Sequence, residues 1–477
     1  MKDEATPTTS ARRGHIYSFE QRTQMPASAR ALFAYHAAPL AFQRLTPPWD
    51  DIVMEQPLRH LEDGAVAAFS LPVGPLAVRW VATHHNVRDG RDGNDAGFID
   101  EMQQGPFSRW RHRHTFEAQS DSRSTLIDSI EYALPRLPGA SFAAPTIERR
   151  LQSMFRFRHA TTALDLDWLP TLASAERRPV VVGITGASGL IGQEISSLLS
   201  VLGIGTRRFV RVQAPATTVR EDELAWVPES GFVDPRASGL SAVIHLAGES
   251  IGAGRLSVAK QERVREQRVR QTRLFLDSLA RLPLPPGVVV SASAVGFYGD
   301  RGEDELDEQS VAGLGLLPTL CTDWEEASLA PRPFRAVAAR FGVVLSPRGG
   351  ALKKMLPLFL AGAGGPLGDG GAFMPLITID DAAGVLLRAL LDARLIGPVN
   401  GVAWSVRNAE FTATLAHVLR RPAVLRAPRL ALRAAFGALA DEALLASARV
   451  APKALVSVGH RFRHANVEAG LRHVLGR

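Results

Sequence analysis

Three glycines, Gly186, Gly189 and Gly192 in "ITGASGLIG", are spaced to bring backbone amides against a diphosphate. One permits a tight strand-to-helix turn, another lets the backbone reach a pyrophosphate, and the third allows close helix–sheet packing. The phosphates then lie at the positive end of the helix dipole. Ala187, Ser188, Leu190 and Ile191 complete the turn and are expected to line the same phosphates. The second strand of such a unit should end about 20 residues later. There the sequence reads "TRRFVRVQ". A carboxylate at that position would bind the ribose hydroxyls of NAD. Arg211 stands there instead, with Arg207 and Arg208 nearby, and an arginine suits the 2′-phosphate of NADP. NADP is therefore expected in preference to NAD, the alternative being a surface arginine.

A second group of residues could handle protons. "HLAG" places His245, Leu246, Ala247 and Gly248 at a strand end where a dinucleotide would cross, and Ser291 opens "SASAVGFYGD" beside it. Ser293 and Tyr298 supply hydroxyls, and "TLCTDWEEA" supplies Cys321 and Glu325. An unassisted phenol titrates near ~10 and is a poor base at neutral pH. A lysine four residues on would share its helix face and help. The residues four beyond Tyr17, Tyr35, Tyr132 and Tyr298 are Gln21, Pro39, Arg136 and Gly302, none of them lysine. Ser293, Tyr298 and Glu325 are the expected catalytic residues, while Cys321 reads as a thiol nucleophile or a buried structural cysteine.

Other groups have plainer alternatives. His112 and His114 in "RWRHRH" alternate with arginines and could share a metal, but no third ligand is evident; a polar lining is the other reading and no metal is expected. Lys353 and Lys354 could neutralise an anionic substrate or simply be surface residues, and Asp380 and Asp381 are explained by helix capping. Trp404 and Asn400 are expected to border the cleft. The arginines at 263, 265, 268, 270 and 273 read as a phosphate-binding row, or as a solvated helix face, the latter with a subunit contact and hence a homodimer as one outcome.

These groups need two kinds of scaffold. From Pro179, Val180, Val181, Val182 and Ile184 form a continuous apolar strand, and Ile191, Ile195, Leu198, Leu199 and Leu202 mark the helix after it. Further apolar strands at 241–250, 287–296 and 334–345 alternate with helices, which predicts a doubly wound parallel sheet. Residues 14–160 read instead as one early helical region, divided at Pro39, among many antiparallel strands. Residues 161–179 read as a linker, 180–407 as the nucleotide-binding domain and 408–477 as a helical tail.

The 477 residues exceed one ordinary core. The hydrophobic fraction is 46% and no apolar run reaches the roughly 18 residues of a membrane span. Residues 1–14 carry no apolar stretch and read as a disordered lead-in, not a secretory signal. A lone cysteine excludes an internal disulfide and fits a cytoplasmic protein. The net charge of +7 is spread over all regions without aromatic–basic motifs, so no nucleic-acid partner is expected.

On "ITGASGLIG", "HLAGE", "SASAVGFYGD", "CTDWEEA", "RFGVVLSPRGGALKKMLPLF", "GGPLGDG", "ITIDD" and "GPVNGVA", the second half resembles an uncharacterised NAD-dependent epimerase/dehydratase-like subfamily of the extended short-chain dehydrogenase/reductases. The tail resembles that subfamily's C-terminal domain of unknown function. In the wider superfamily a tyrosine phenolate, assisted by a lysine four residues on, is the general acid/base, and a serine orients the substrate. Ser293 matches that serine and the tyrosine–lysine pair is absent. On "LTPPWD", "GPFSRWRHRHTF" and "TLIDSIEYALP", the first region resembles the START-like, polyketide-cyclase superfamily. That resemblance implies an α+β helix-grip domain with a cavity for an apolar ligand. The combined expectation is this domain, a Rossmann α/β domain and a small helical C-terminal cap. The function implied is an NADP-dependent oxidoreductase or epimerase of atypical mechanism acting on a small molecule; the alternative is an inactive NADP-binding regulatory or interaction module.

Overall fold

A computed structural model describes residues 15–477 apart from 57–59, 74–75, 92–94, 136, 176–178, 250–257 and 438–439. The expected lead-in at 1–14 lies outside the described residues. The chain divides into two compact units, the first reaching Leu169 and including Val201–Gly203, the second made of 170–200 and 204–477.

The first unit is built on strands β1 (Ile16–Met25), β2 (Val53–Gln56), β3 (Val66–Val73), β4 (Leu76–Arg88), β5 (Ala96–Gln104), β6 (Arg109–Ser120) and β7 (Arg123–Ala133). They form one antiparallel sheet in the order β1-β7-β6-β5-β4-β3-β2. Helices Ala29–His36 and Ala41–Leu45 separate β1 from β2, the break falling around Pro39 as its missing N–H and fixed φ require. Period-two alternation along β6 buries Trp110, His112 and His114 and exposes Arg109 and Arg113. Helix Ala144–Leu166 lays Leu151 and Phe155 against Trp80, Trp110, Ile130 and Tyr132 of the sheet. Its buried Asp165 accepts two hydrogen bonds from Arg44 (2.7 and 2.8 Å) and one from Tyr35 (2.8 Å), which ties it to the short helices. This helix runs past residue 160, so the segment expected to be a linker begins inside it.

The second unit centres on an eight-stranded sheet. Its strands are β8 (Val181–Thr185), β9 (Gly205–Arg211), β10 (Glu223–Val227), β11 (Phe232–Val233), β12 (Ala242–His245) and β13 (Val288–Ala294). After the short β14 (Glu305–Leu306) come β15 (Arg335–Phe341), then β16 (Val343–Leu345) and β17 (Phe373–Thr378), which leave this sheet, and β18 (Gly397–Gly401), its last strand. The order is β11-β10-β9-β8-β12-β13-β15-β18, parallel except for β11. The chain leaves β8 for β9 on one side and later returns to β12 on the other, so the sheet reverses direction at β8. A crevice opens at such a switch point, beyond the strands' C-terminal ends. Parallel strands are covered on both faces, and Val182, Ile184, Val243, Ile244 and Val290 are accordingly buried.

A second small sheet joins β16, β17 and β19 (Trp404–Arg407), and β14 pairs with β20 (Arg449–Val450). The tail therefore contributes a strand as well as helices Asn408–Leu419, Arg429–Phe436 and Val467–Leu475. Leu471 and Val474 of the last helix share a core with Leu345, Leu352, Phe411 and Leu415. Among the described residues no helix is long and apolar enough to cross a membrane.

Candidate functional site

The glycine turn joins β8 to helix Leu190–Val201 at the switch point. Gly186 has φ +67°, and a Cβ there would lie 2.8 Å from the Leu246 carbonyl oxygen. A Cβ on Gly192 would lie 2.2 Å from the Gly186 oxygen and 2.8 Å from Ala187 Cα. Gly189 has an ordinary φ and serves through its N–H, which donates to the Gly186 oxygen at 2.9 Å. Two of the three glycines thus make a cradle that side chains would fill. The amide donors of the helix's first turn open onto it together with Ala187 and Ser188, which fits a dinucleotide's diphosphate.

The facing edge is the end of β12. Thr185 Oγ1 accepts from the Leu246 and Ala247 amides at 3.1 and 3.2 Å, holding the Leu246–Gly248 backbone against the turn. With both lone pairs used, its hydroxyl donates to His245 Nδ1 (2.8 Å), and His245 Nε2 donates to Thr272 Oγ1 (2.9 Å). Burial, reinforced by the charges of Arg211 and Arg268, lowers this imidazole to about 3, so it stays neutral. Its side chain was expected among the cofactor contacts; with both nitrogens taken in the core, it holds instead the edge of Leu246, Ala247 and Gly248. Ser291, beside His245 on β13, is likewise buried.

Arg211 ends β9, exposed, its guanidinium 5.6 Å from the Trp226 ring centroid. Arg208 pairs with Glu223 and Asp222, and Arg207 donates to the Arg236 carbonyl. Among the described residues Arg211 makes no ion pair with a carboxylate.

Ser293, Tyr298 and Glu325 do come together. β13 and β15 pair with Ser293 directly beside Arg340, and helix Leu316–Leu329 brings Glu325 over both. Ser293 Oγ donates to Glu325 Oε1 (2.5 Å), and Arg340 grips both Glu325 oxygens (2.8 and 2.7 Å). Arg340 also donates to the Tyr298 oxygen (2.9 Å), whose hydroxyl hydrogen lies between Asn400 Oδ1 and the Asp307 carbonyl, each at 2.8 Å. Ser293, Tyr298, Glu325, Arg340 and Asn400 are buried and Asp307 is half-buried. Burial raises the Tyr298 phenol above its ordinary value, Arg340 opposing. A proton from Tyr298 would therefore have to leave a closed network.

The remaining candidates separate. Burial first, then the Glu325 charge, pushes the Cys321 thiol up to about 12, which removes the thiolate a nucleophile needs. Lys353 and Lys354 are exposed on helix Gly350–Leu360. The cap of helix Ile379–Leu391 is Thr378, which accepts from the Asp381 amide at 3.1 Å. Asp381 itself accepts from the Arg463 amide (2.8 Å), and Asp380 faces Arg463 and His473 at 3.9 and 3.5 Å, so this pair fastens the tail. Trp404 packs at Gly470 of the last helix, and Asn400 is buried against Tyr298.

Arg340 escaped the sequence reading, and Arg268 was read only as one of a row of five arginines, phosphate-binding or solvated. Arg340 sits in a buried strand, and a charge inside an apolar run was the available signal. Arg268 lies on a π-helical turn, Glu266–Gln271, a feature that recurs at functional sites. Its guanidinium stands 4.2 Å from the Trp324 ring centroid and donates to the Glu249 carbonyl at 3.1 Å. It also lies against Gly248, where a Cβ would be 3.4 Å from its Cζ. Among the described residues no carboxylate pairs with it. A cation beside the "HLAG" edge can receive an anionic group.

Comparison with known proteins gives a consistent result. A family model described as the NAD dependent epimerase/dehydratase family matches residues 182–400, and a domain of unknown function, DUF1731, matches 427–474. An epimerase family protein of Mycobacterium bovis is 40% identical over 302 residues, 62% of this chain and 98% of that protein. The human epimerase family protein SDR39U1 is 34% identical over 304 residues, 62% of this chain and 99% of that protein. Among solved structures, a nucleoside-diphosphate sugar epimerase from Corynebacterium glutamicum is similar over 96% of this chain and 90% of its own, with 30% identity and a TM-score of 0.75. Human SDR39U1 (isoform 2) with NADPH is similar over 62% of this chain and 99% of its own, with 32% identity and a TM-score of 0.57.

Proposed function

Because this chain belongs to the NAD dependent epimerase/dehydratase family and carries that DUF1731 domain, we propose that it is an NADP-dependent oxidoreductase or epimerase-like enzyme that lacks the tyrosine–lysine proton relay. The observation that carries this reading is the glycine cradle at 186–192 facing the Leu246–Gly248 edge. Its amides hold the diphosphate, and Arg211 meets the 2′-phosphate. A nicotinamide dinucleotide bound there supplies hydride acceptance and donation. Ser293 Oγ gives its hydrogen to Glu325 and keeps lone pairs with which to accept a substrate hydroxyl. Tyr298 and Glu325 hold that serine and Arg340 in place. Arg268 neutralises an anionic group of the substrate.

Calorimetric titration with NADPH and NADH tests the cofactor reading. The wild type favours NADPH. Arg211→Glu weakens NADPH binding roughly 10- to 100-fold, the worth of a charged hydrogen bond, while sparing NADH. Folded protein that gives no heat with either nucleotide would sink the proposal.

The closed network at Tyr298 favours a second reading, an NADP-binding regulatory or interaction module. Hydride exchange between NADPH and any metabolite excludes that reading. No exchange across carbonyl and sugar-nucleotide panels supports it.

For the first unit the proposal is a START-like domain for an apolar ligand. Its support is the strand–helix–sheet–helix order and the aromatic face of Trp80, Trp110, Tyr132 and Phe155. Mass spectrometry of small molecules carried through purification reads out that ligand.

A further inference from the structure

The first unit also holds a cluster that neither an apolar ligand nor a dinucleotide needs. Alternation along β6 puts His112 and His114 on its buried face. Sheet register supplies their neighbours. Asp100 of β5 lies directly opposite His112, and Asp128 of β7 directly opposite His114. His84 of β4 is opposite Asp100 in turn. Residues directly opposite one another in antiparallel strands share a face, so the side chains of four strands converge. His159, from helix Ala144–Leu166, closes over them.

The contacts sort into inner and outer partners. Asp128 Oδ1 accepts from His112 Nε2 (2.9 Å) and Asp128 Oδ2 from His159 Nε2 (2.8 Å). The proton of His112 is thereby held on Nε2, and Nδ1 of the neutral ring carries a lone pair. That lone pair faces Asp100 Oδ2 at 3.8 Å, while His114 lies 2.7 Å from Asp128 Oδ1 through Nδ1 and hydrogen-bonds the same Asp100 oxygen through Nε2 at 3.2 Å, the bond a metal ion would replace. A lone pair set against a carboxylate oxygen is repulsive unless a cation stands between them. Four-coordinate zinc with bonds of 2.0–2.1 Å needs ligand atoms about 3.3 Å apart, and Asp100, His112 and His114 each offer one ligand atom within 4.8 Å of the other two.

Charge balance points the same way. Among the described residues, the ion-pair partners of Asp100 and Asp128 are all imidazoles. Two carboxylates in so buried a place call for positive charge. Asp128 behind His112 is the carboxylate–histidine support that metal-binding imidazoles use. His84 gives its Nδ1 proton to the Ala65 carbonyl (3.0 Å), and its Nε2 lies 3.0 Å from Asp100 Oδ1. The Asp100 side chain keeps 23% exposure against 6% and 8% for the two histidines, which leaves a coordination position open on its side.

We infer that Asp100, His112 and His114 form a three-ligand site for a divalent transition metal of the zinc class, with an open fourth position. Two imidazoles and a carboxylate suit such an ion and not a hard, all-oxygen one. Untagged full-length protein, stripped with chelator and titrated with zinc chloride, is expected to bind one equivalent tightly. His112→Ala/His114→Ala abolishes that binding. Asp128→Asn, which removes only the outer support, weakens it 10- to 100-fold. Because buried variants can misfold, cobalt(II) bound to the wild type gives a second readout, the intense visible bands of low-coordinate nitrogen–oxygen ligation. Absence of stoichiometric zinc, unchanged affinity in the double variant, or the weak spectrum of six-coordinate aqueous cobalt would each overturn the site and leave an imidazole–carboxylate network that shares protons.

Discussion

Two buried side chains show how burial assigns roles that residue type alone leaves open. Cys321, sited for chemistry by its neighbours in sequence, is protonated up to about pH 12. At pH 8 its thiolate fraction is on the order of 10⁻⁴. Iodoacetamide is therefore expected to leave the native protein unmodified and to alkylate it in denaturant, as peptide mass spectrometry would read. Rapid labelling of folded protein would contradict the burial argument. His245 makes the complementary case for acid. Its folded value of about 3 lies below the ordinary one near 6.5. Between those values the unfolded chain binds a proton that the folded chain refuses. Its contribution is whole above pH 6.5 and is lost on acidification, by up to about 1.4 kcal/mol per pH unit. His245→Gln is expected to flatten the fall in stability between pH 7 and 5, measured by urea unfolding. Parallel curves for variant and wild type would show that this imidazole is not the group responsible.

At the scale of elements, local pattern and long-range register part company. The cradle was legible because its parts are contiguous: apolar strand, glycine turn, helix. Gly192 is the sharpest case, since a methyl group there would meet backbone atoms of Gly186 and Ala187, which cannot rotate away. Gly192→Ala is expected to cost about 1–3 kcal/mol through overpacking and to weaken dinucleotide binding at least tenfold, read by chemical denaturation and calorimetry. Binding equal to wild type would place the diphosphate elsewhere. The proton-handling half was not legible in the same way. Ser293 meets Arg340 only because β13 and β15 pair in one register, and Glu325 arrives from a third element. Likewise the pair His112 and His114 could be read from alternation, whereas Asp100 and Asp128 came from neighbouring strands. Arg268 was named within its row of arginines but could not be singled out there, because it lies in a π-helical turn, outside the regular 3.6-residue period.

Across the second unit as a whole, the tail fixes the element that carries the candidate site. Helix Leu316–Leu329, which bears Cys321, Trp324 and Glu325, has no capping side chain of its own. Gly315 precedes it at φ +125°, a conformation only glycine adopts freely. Into that space comes Glu442, from more than a hundred residues away. Its carboxylate accepts from the amides of Leu316 (2.9 Å) and Leu317 (2.8 Å). A carboxylate there satisfies orphan donors and complements the helix dipole. The tail-borne glutamate does what an N-cap does locally, so Glu442→Ala should cost about 1–2 kcal/mol. Because the cap lies one turn before Cys321, the loss should spread inward. Native-state alkylation of that cysteine should rise in the variant, while Glu442→Gln, which keeps an acceptor oxygen, recovers part of the protection. A variant that loses stability without exposing Cys321 would mean that the tail supports the unit but does not hold this helix in register with Glu325, Arg340 and Ser293.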